Sequence, residues 1–350
     1  MNMADWAAME RAARHGLACA TRAGDDELRL HALRLLAVAQ VWQGDIEGGR
    51  VLAQQGLAEA RSLGLRSVEG RMLNTLFIAA DIQGDLIGPL DLARQNLLIY
   101  REIGDRVGES IILTNQAESW LKLGDLAQAR RDLDAGLQMA RAHGDRPSEC
   151  AALTGLSAMM LGQGDETRAL ALARQALDIA VATRTREFEG VAGLRLGAAE
   201  LALGRRAAAR DAYAQAHARA MEIDAAWQHD ASSGLARVAL ADEDATAAVA
   251  ALQPLLEHIA AGGTLDGTEH PRLIELSCHQ ALARADDPRA DEWLARAHGA
   301  LMAQAEAIGR CTTDATLRQG FLQNIPHHRE IVAAWAKRDV ASESPARPGG

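Results

Sequence analysis

The 350-residue chain reads as an all-α solenoid of antiparallel helix pairs, and three observations lead there. The first is a turn that returns every 40 residues: Gly44-Asp45, Gly84-Asp85, Gly124-Asp125, Gly164-Asp165 and then Gly204-Arg205. The second is another turn family at the same interval, half a period away: Gly24, Gly64, Gly104 and Gly144, continued by Arg184 and Asp224 without the glycine. Two turns per period mean two helices per repeat, and five anchors in register are not a chance pattern. The third is composition. Hydrophobic residues make up 48% and aromatics only 3%, with alanine and leucine carrying most of the apolar content. Small and aliphatic side chains suit closely packed helices and suit strands poorly.

Each element has a local reason. A glycine takes the left-handed conformation that ends one helix, and the aspartate after it caps the next by accepting a backbone N–H. Asp125 with Gln128 has the form of a capping box, and Pro147 stands where a first-turn proline is tolerated. Apolar residues recur at helical spacing before the turns, as with Leu30, Leu33 and Val41, or Ile111 and Leu121. Small residues hold fixed offsets. Five positions after the turn glycine stand Gly49, Ala129, Ala169 and Ala209, with Pro89 the exception. Twelve after it stand Gly56, Gly136, Ala176 and Ala216, with Asn96 the exception. Such positions let adjacent helices pack closely.

These features resemble the tetratricopeptide repeat. The resemblance rests on the Gly-Asp turn, the small positions above and the small residue seven before the turn (Ala37, Ala117, Ser157, Gly197), and it covers residues 15–240. It implies a right-handed superhelical tetratricopeptide-like solenoid. The departure is the period, 40 rather than the ~34 of the standard motif. Regular repeats are therefore expected over 1–240 and degenerate terminal repeats with a capping helix over 241–338, with a low-apolar tail over 339–350 expected to be disordered. Past residue 240 the register loosens: Ala241-Asp242 stands where a turn would fall, three residues early. AGGTLDGTEHP (261–271) is a turn-rich loop, followed by a helical pair over about 272–310 carrying Trp293 and Leu294.

The stretch Phe321-Leu322-Gln323-Asn324-Ile325-Pro326-His327-His328-Arg329-Glu330-Ile331 resembles the segment closing the tetratricopeptide arm of bacterial ATPase-linked adenylate or guanylate cyclases and related transcriptional regulators. Ile325 replaces a valine of that pattern. The chain carries neither a GxxxxGK[ST] loop nor a helix-turn-helix with a basic face, so the resemblance implies the arm alone. Read for packing alone, Phe321, Leu322 and Ile325 cap the last apolar face and Pro326 starts the final helix.

Signatures of chemistry are thin. Net charge is −10, which does not favour a nucleic-acid surface. Cys19, Cys150, Cys278 and Cys311 lie far apart, with neither zinc-ligand spacing nor a disulfide framework, and read as reduced, packed thiols of a cytoplasmic protein. Asp5 and Glu10 stand where a signal peptide would need an apolar run, so none is expected, and no stretch of the sequence approaches the ~18 uncharged apolar residues of a spanning helix. Only Lys122 and Lys337 among 37 basic residues are lysine, a composition of GC-rich, bacterial genomes. Adjacent His327 and His328 diverge on a helix start, as do Cys278 and His279. No catalytic residue, metal site or cofactor is expected.

The interaction surface is better defined. In such arrays the first helix of each pair lines the concave side, through positions 13, 10, 6 and 3 before the turn glycine. These are His31, Arg34, Val38 and Val41; Arg71, Asn74, Ile78 and Asp81; Ile111, Thr114, Glu118 and Leu121; Ala151, Thr154, Ala158 and Leu161; and Val191, Leu194, Ala198 and Leu201. The amino-terminal half is polar and partly cationic, the carboxy-terminal half apolar. Arg34, Arg71 and Asn74 are placed to hold an acidic or carboxylate-bearing peptide. The functional expectation is a non-catalytic interaction scaffold, a regulatory or sensor arm of bacterial signalling or transcriptional control, with a protein or peptide partner, no direct contact with nucleic acid and no membrane. The alternatives are a receptor for a peptide or small-molecule effector held in the groove, and an enzyme that no motif recommends.

Overall fold

The computed structural model of the protein describes residues 6–312 and 315–343. These residues form helices and no strands. In chain order the first ten are α1 (Trp6–Ala23), α2 (Asp26–Trp42), α3 (Ile46–Ser62), α4 (Arg66–Ile82), α5 (Gly88–Ile103), α6 (Arg106–Leu123), α7 (Leu126–His143), α8 (Arg146–Gly162), α9 (Glu166–Thr183) and α10 (Arg186–Ala202). They are followed by α11 (Arg206–Glu222), α12 (Gln228–Ala241), α13 (Ala245–Ala260), α14 (Pro271–Arg284), α15 (Ala290–Cys311), α16 (Ala315–Gln323) and α17 (Pro326–Glu343). Helix α17 enters the segment assigned to the tail, and residues 344–350 lie outside the described ones. Two compact units result: Met1–Leu121 with Ala127–Leu156 and Gln175–Phe188, and Lys122–Leu126 with Ser157–Arg174 and Glu189–Gly350.

Turn chemistry sets the helix boundaries. All nine turn glycines, from Gly24 to Gly204, have positive φ, and so do Arg184 (55°) and Asp224 (52°), which stand in the same register. After the turn residue, the next N–H reaches the carbonyl five residues back, as in Asp25 to Ala20, Asp45 to Gln40 and Thr185 to Ala180. This bond closes the helix whether or not glycine is present. The following aspartate then caps: Asp25, Asp45, Asp105 and Asp165 each accept from the N–H three residues on. The turn expected at Ala241-Asp242 instead falls at Glu243 (φ 60°), with Asp244 accepting from the Ala247 N–H at 2.8 Å. The aspartate needed as a cap fixes that register, one residue short of the 40-residue interval.

The exceptions among the small positions are compensated across the helix pair. Position 12 after the turn faces position 14 before it: the Ser110 hydroxyl donates to the Gly136 carbonyl at 2.9 Å, and the Cys150 thiol to the Ala176 carbonyl at 3.2 Å. Where the second helix carries Asn96, the first carries Gly70, and a Cβ there would lie 3.0 Å from Asn96 Oδ1 and 2.8 Å from the Tyr100 ring. Pro89 is tolerated because α5 begins only at Gly88, which puts the proline in the first turn, where no intrahelical N–H is required.

A clasp not read from the sequence ties three second-to-first helix turns of the first unit. Glu69, Glu109 and Glu149, five residues after Gly64, Gly104 and Gly144, are buried. Each accepts from an arginine three before the glycine and another two after it. The pairs are Arg61 and Arg66 (2.9 and 2.5 Å), Arg101 and Arg106 (2.6 and 2.7 Å), and Arg141 and Arg146 (2.9 and 2.5 Å). For Glu109, burial alone would raise the carboxyl pKa, and the two guanidiniums outweigh it, holding the group below its usual range.

Candidate interaction groove

In the first unit the cationic groove positions come together. His31 is half-buried, and burial followed by the charges of Arg71 and Arg34 lowers its pKa. Arg34 is half-buried, its pKa lowered by burial and then by the charge of Arg71, while Arg71 is exposed. No carboxylate pairs with either arginine among the described residues, and Arg34 Nε is buried without a hydrogen-bond partner. Two mutually repelling guanidiniums, one partly desolvated and both lacking a counter-charge, form an anion-seeking arrangement. Tyr100 lies within electrostatic reach of both, a groove neighbour contributed by α5 that the four-position template omitted.

The other positions divide. Asn74 is half-buried and its Oδ1 accepts from Asn115 Nδ2 at 3.2 Å; Ile78 and Glu118 are half-buried. A Cβ on Gly155 would lie 2.9 Å from Glu118 Oε1, so that carboxylate rests over a glycine of α8. Thr114, Thr154 and Leu194 are buried and offer no accessible side chain. The Thr114 hydroxyl donates to the Ser110 carbonyl at 3.0 Å and that of Thr154 to Ala151 at 2.7 Å. Leu194, in the second unit, packs with Tyr213 and Trp227.

Position 9 before the turn lies in the seam between neighbouring first helices. Asn115 holds it in α6 and bonds to position 10 of the preceding first helix, Asn74. In the second unit the Ser233 hydroxyl, ten before Glu243, donates to Ser277, nine before left-handed Asp286, at 2.8 Å. Neighbouring first helices thus meet through a 10-to-9 seam.

In the second unit a buried polar cluster stands outside the positions expected to form the apolar half of the groove. Arg195 of α10 is buried, its Nη2 pairs with Glu269 and its Nη1 donates to His270 Nε2 at 3.0 Å. That bond requires a neutral His270, and burial followed by the Arg195 charge lowers its pKa to about 3. Asp230 of α12 is buried and accepts from the N–H groups of Glu269 and His270, each at 2.9 Å. Burial, then the charge of Glu269, pushes its carboxyl up to about 7. The His327 ring lies 5.9 Å from His270 and 4.6 Å from His328, whose Nδ1 bonds the Phe321 carbonyl at 2.7 Å. Asn324 Nδ2 donates to the Gly124 carbonyl at 2.9 Å.

Among the described residues no group of three or more His, Cys, Asp or Glu is arranged to hold a metal, and no helix is long and apolar enough to cross a membrane. Cys150 and Cys278 are packed as expected, and burial pushes the Cys150 thiol up to about 12. Cys311, in contrast, is exposed near the end of α15.

No family model matches the sequence, and no curated protein sequence does. Solved structures are similar in fold. A Rap protein complexed with Competence and Sporulation Factor has a TM-score of 0.61 at 12% identity, over 95% of this chain and 99% of that one. The apo form of RapI has a TM-score of 0.51 at 10% identity, over 97% and 99%. A Signal Transduction ATPase with Numerous Domains with a tetratricopeptide repeat sensor, from Pyrococcus horikoshii, has a TM-score of 0.51 at 15% identity. It is matched over 84% of this chain and 44% of its own length. Identities this low carry the fold and not the role. By its fold, the chain is a tetratricopeptide-like repeat protein.

Proposed function

We propose that the chain is a non-catalytic interaction protein, a regulatory or sensor arm of bacterial signalling, whose first-unit groove receives an acidic segment of a protein or peptide partner. The observation that carries this reading is the Arg34–Arg71 pair, two guanidiniums without a carboxylate, one of them with a buried, unbonded Nε. A partner carboxylate would supply the counter-charge through fork hydrogen bonds and relieve the repulsion between the arginines. Asn74 and Asn115 alongside offer amides to a peptide backbone, as half-buried groove residues that still have hydrogen-bonding capacity.

A second reading, receptor for a peptide or small-molecule effector, draws on the fold similarity to a Rap protein complexed with Competence and Sporulation Factor along nearly the full chain. Both readings use the same groove and differ in what fills it. The test is capture of partners from host lysate by the wild type and by Arg34→Glu/Arg71→Glu, followed by direct titration of whatever the wild type retains. The interaction reading expects an acidic partner bound by the wild type and lost, by at least tenfold in affinity, from the variant. A partner that binds both equally would refute the role of the arginines. Recovery only of a low-molecular-weight compound would favour the receptor.

A further inference from the structure

The junction between α13 and α14 is unlike the earlier ones. Two or three residues connect second to first helices at Gly24, Gly64, Gly104 and Gly144, whereas ten residues, 261–270, stand between Ala260 and Pro271. The surplus is not a free excursion. Leu265 is buried against Leu252, Leu255 and Ile274, and the next residues run back to α12 and α10. Asp230 stands thirteen before left-handed Glu243, the place that His31 and Arg71 hold in the first unit. Arg195 stands nine before Gly204, the place of Asn115. A groove-register position and a seam position on successive first helices therefore grip a short non-helical segment of the same chain.

The grip has the form of peptide recognition. Asp230 takes two successive backbone N–H groups, one on each carboxylate oxygen, which reads the main chain and not the side chains. Arg195 takes the Glu269 carboxylate and the His270 ring nitrogen. The charge of Lys122 also reaches Glu269. A loop kept only for packing would be served better by apolar side chains, because buried charges gain little over a hydrophobic plug. The charged set specifies what may lie there.

We propose that the second unit's groove is a binding site for a non-helical peptide segment carrying a glutamate, and that Thr268–His270 occupies it in cis. This is independent of the Arg34–Arg71 pair. A segment tethered on both sides competes at high effective concentration, of the order of millimolar for short linkers, so an external ligand binds only when it outcompetes the loop or the loop is loosened.

The test uses the full chain and the acetylated, amidated heptapeptide LDGTEHP, the chain's own residues 265–271. Glu269→Gln removes the cis carboxylate. The expected result is peptide binding to E269Q at least tenfold tighter than to the wild type, lost again in E269Q/R195Q, and weakened at least tenfold when the peptide's glutamate is replaced by glutamine. Hydrogen exchange at the Glu269 and His270 amides should be faster in E269Q than in the wild type. Affinities within twofold between wild type and E269Q, with unchanged exchange at those amides, would overturn the proposal and leave the loop a fixed strap. Should E269Q fail to fold, the wild type decides. Excess peptide that speeds exchange across 262–268 supports displacement, and no change on saturation rules it out. Either result is separable from the first-unit groove, which R195Q and E269Q leave untouched.

Discussion

Replacing Glu109 by glutamine tests the clasp that repeats through the first unit. The carboxylate is only 7% exposed and accepts from Arg101 Nε at 2.6 Å and Arg106 Nη1 at 2.7 Å, while the two arginines are 54% and 58% exposed. Glutamine keeps the volume but has one acceptor oxygen, and it turns an NH2 group toward a guanidinium. Charge-assisted hydrogen bonds contribute about 1.5–3 kcal/mol each when sheltered. Half-exposed arginines return readily to water, which discounts the loss, so a net cost of about 1–3 kcal/mol is expected. The pH dependence gives a second check. The folded carboxyl lies below its unfolded value, so its contribution is present above the unfolded pKa and disappears as pH falls through the folded one. Urea unfolding followed by circular dichroism at pH 7 and at about pH 3 should show a wide gap between wild type and E109Q that narrows on acidification. Arg94→Gln, which removes a pair 75% and 66% exposed, serves as the control and should change stability by less than ~0.5 kcal/mol. An E109Q protein within ~0.5 kcal/mol of wild type at pH 7, or a gap that stays constant with pH, would refute the reasoning.

Two further predictions concern the second unit. Burial, with the charge of Arg195 next, lowers the His270 pKa to about 3, burial lowers that of His328 to about 4, and burial followed by the neighbouring His328 lowers that of His327. The unfolded chain therefore binds more protons than the folded one below about pH 6.5, and stability falls as pH drops from there toward about 4. Asp230, raised to about 7, works in the opposite direction, its contribution falling as pH rises from about 4 to 7, as does Glu275, raised by burial, but these two carboxyls stand against five imidazoles, since burial also lowers His217 and His229. His328→Gln, whose amide can still donate to the Phe321 carbonyl, should lose less thermal stability between about pH 6.5 and 4.5 than the wild type, and an equal loss would refute the role of the ring. The same substitution at two helical glycines should have opposite signs. Gly190→Ala would place a Cβ 1.8 Å from the buried Trp227 ring and cost about 3 kcal/mol or more, whereas Gly299→Ala meets nothing within 4 Å and should add about 0.5–1 kcal/mol. Denaturant titrations of the two variants decide it.

The repeat, its two helices and its turns were legible from the residue order alone, because they rest on local chemistry. A left-handed residue, a capping aspartate and a bond to the carbonyl five residues back all lie within a few positions of one another. Even Arg184 and Asp224 could be assigned as turns, because the period carried the register past the missing glycines. The arginine pair of the first groove was legible for the same reason, as a fixed offset from the turn. Which offsets remain open was a tertiary matter. Thr114, Thr154 and Leu194 share a position with Arg34 and Asn74 yet are buried, since exposure depends on the side chains of neighbouring helices. The 10-to-9 seam between first helices likewise joins residues whose partners are set by helix packing, whereas the Arg–Glu clasps span only three and eight residues about one turn and were legible in principle from their fixed offsets. The reach of Glu269 and His270 to Arg195, 74 and 75 residues away, has no local signature at all. A turn is a property of a few consecutive dihedrals. A groove is a property of what the rest of the chain leaves uncovered, and only the packed helices decide that.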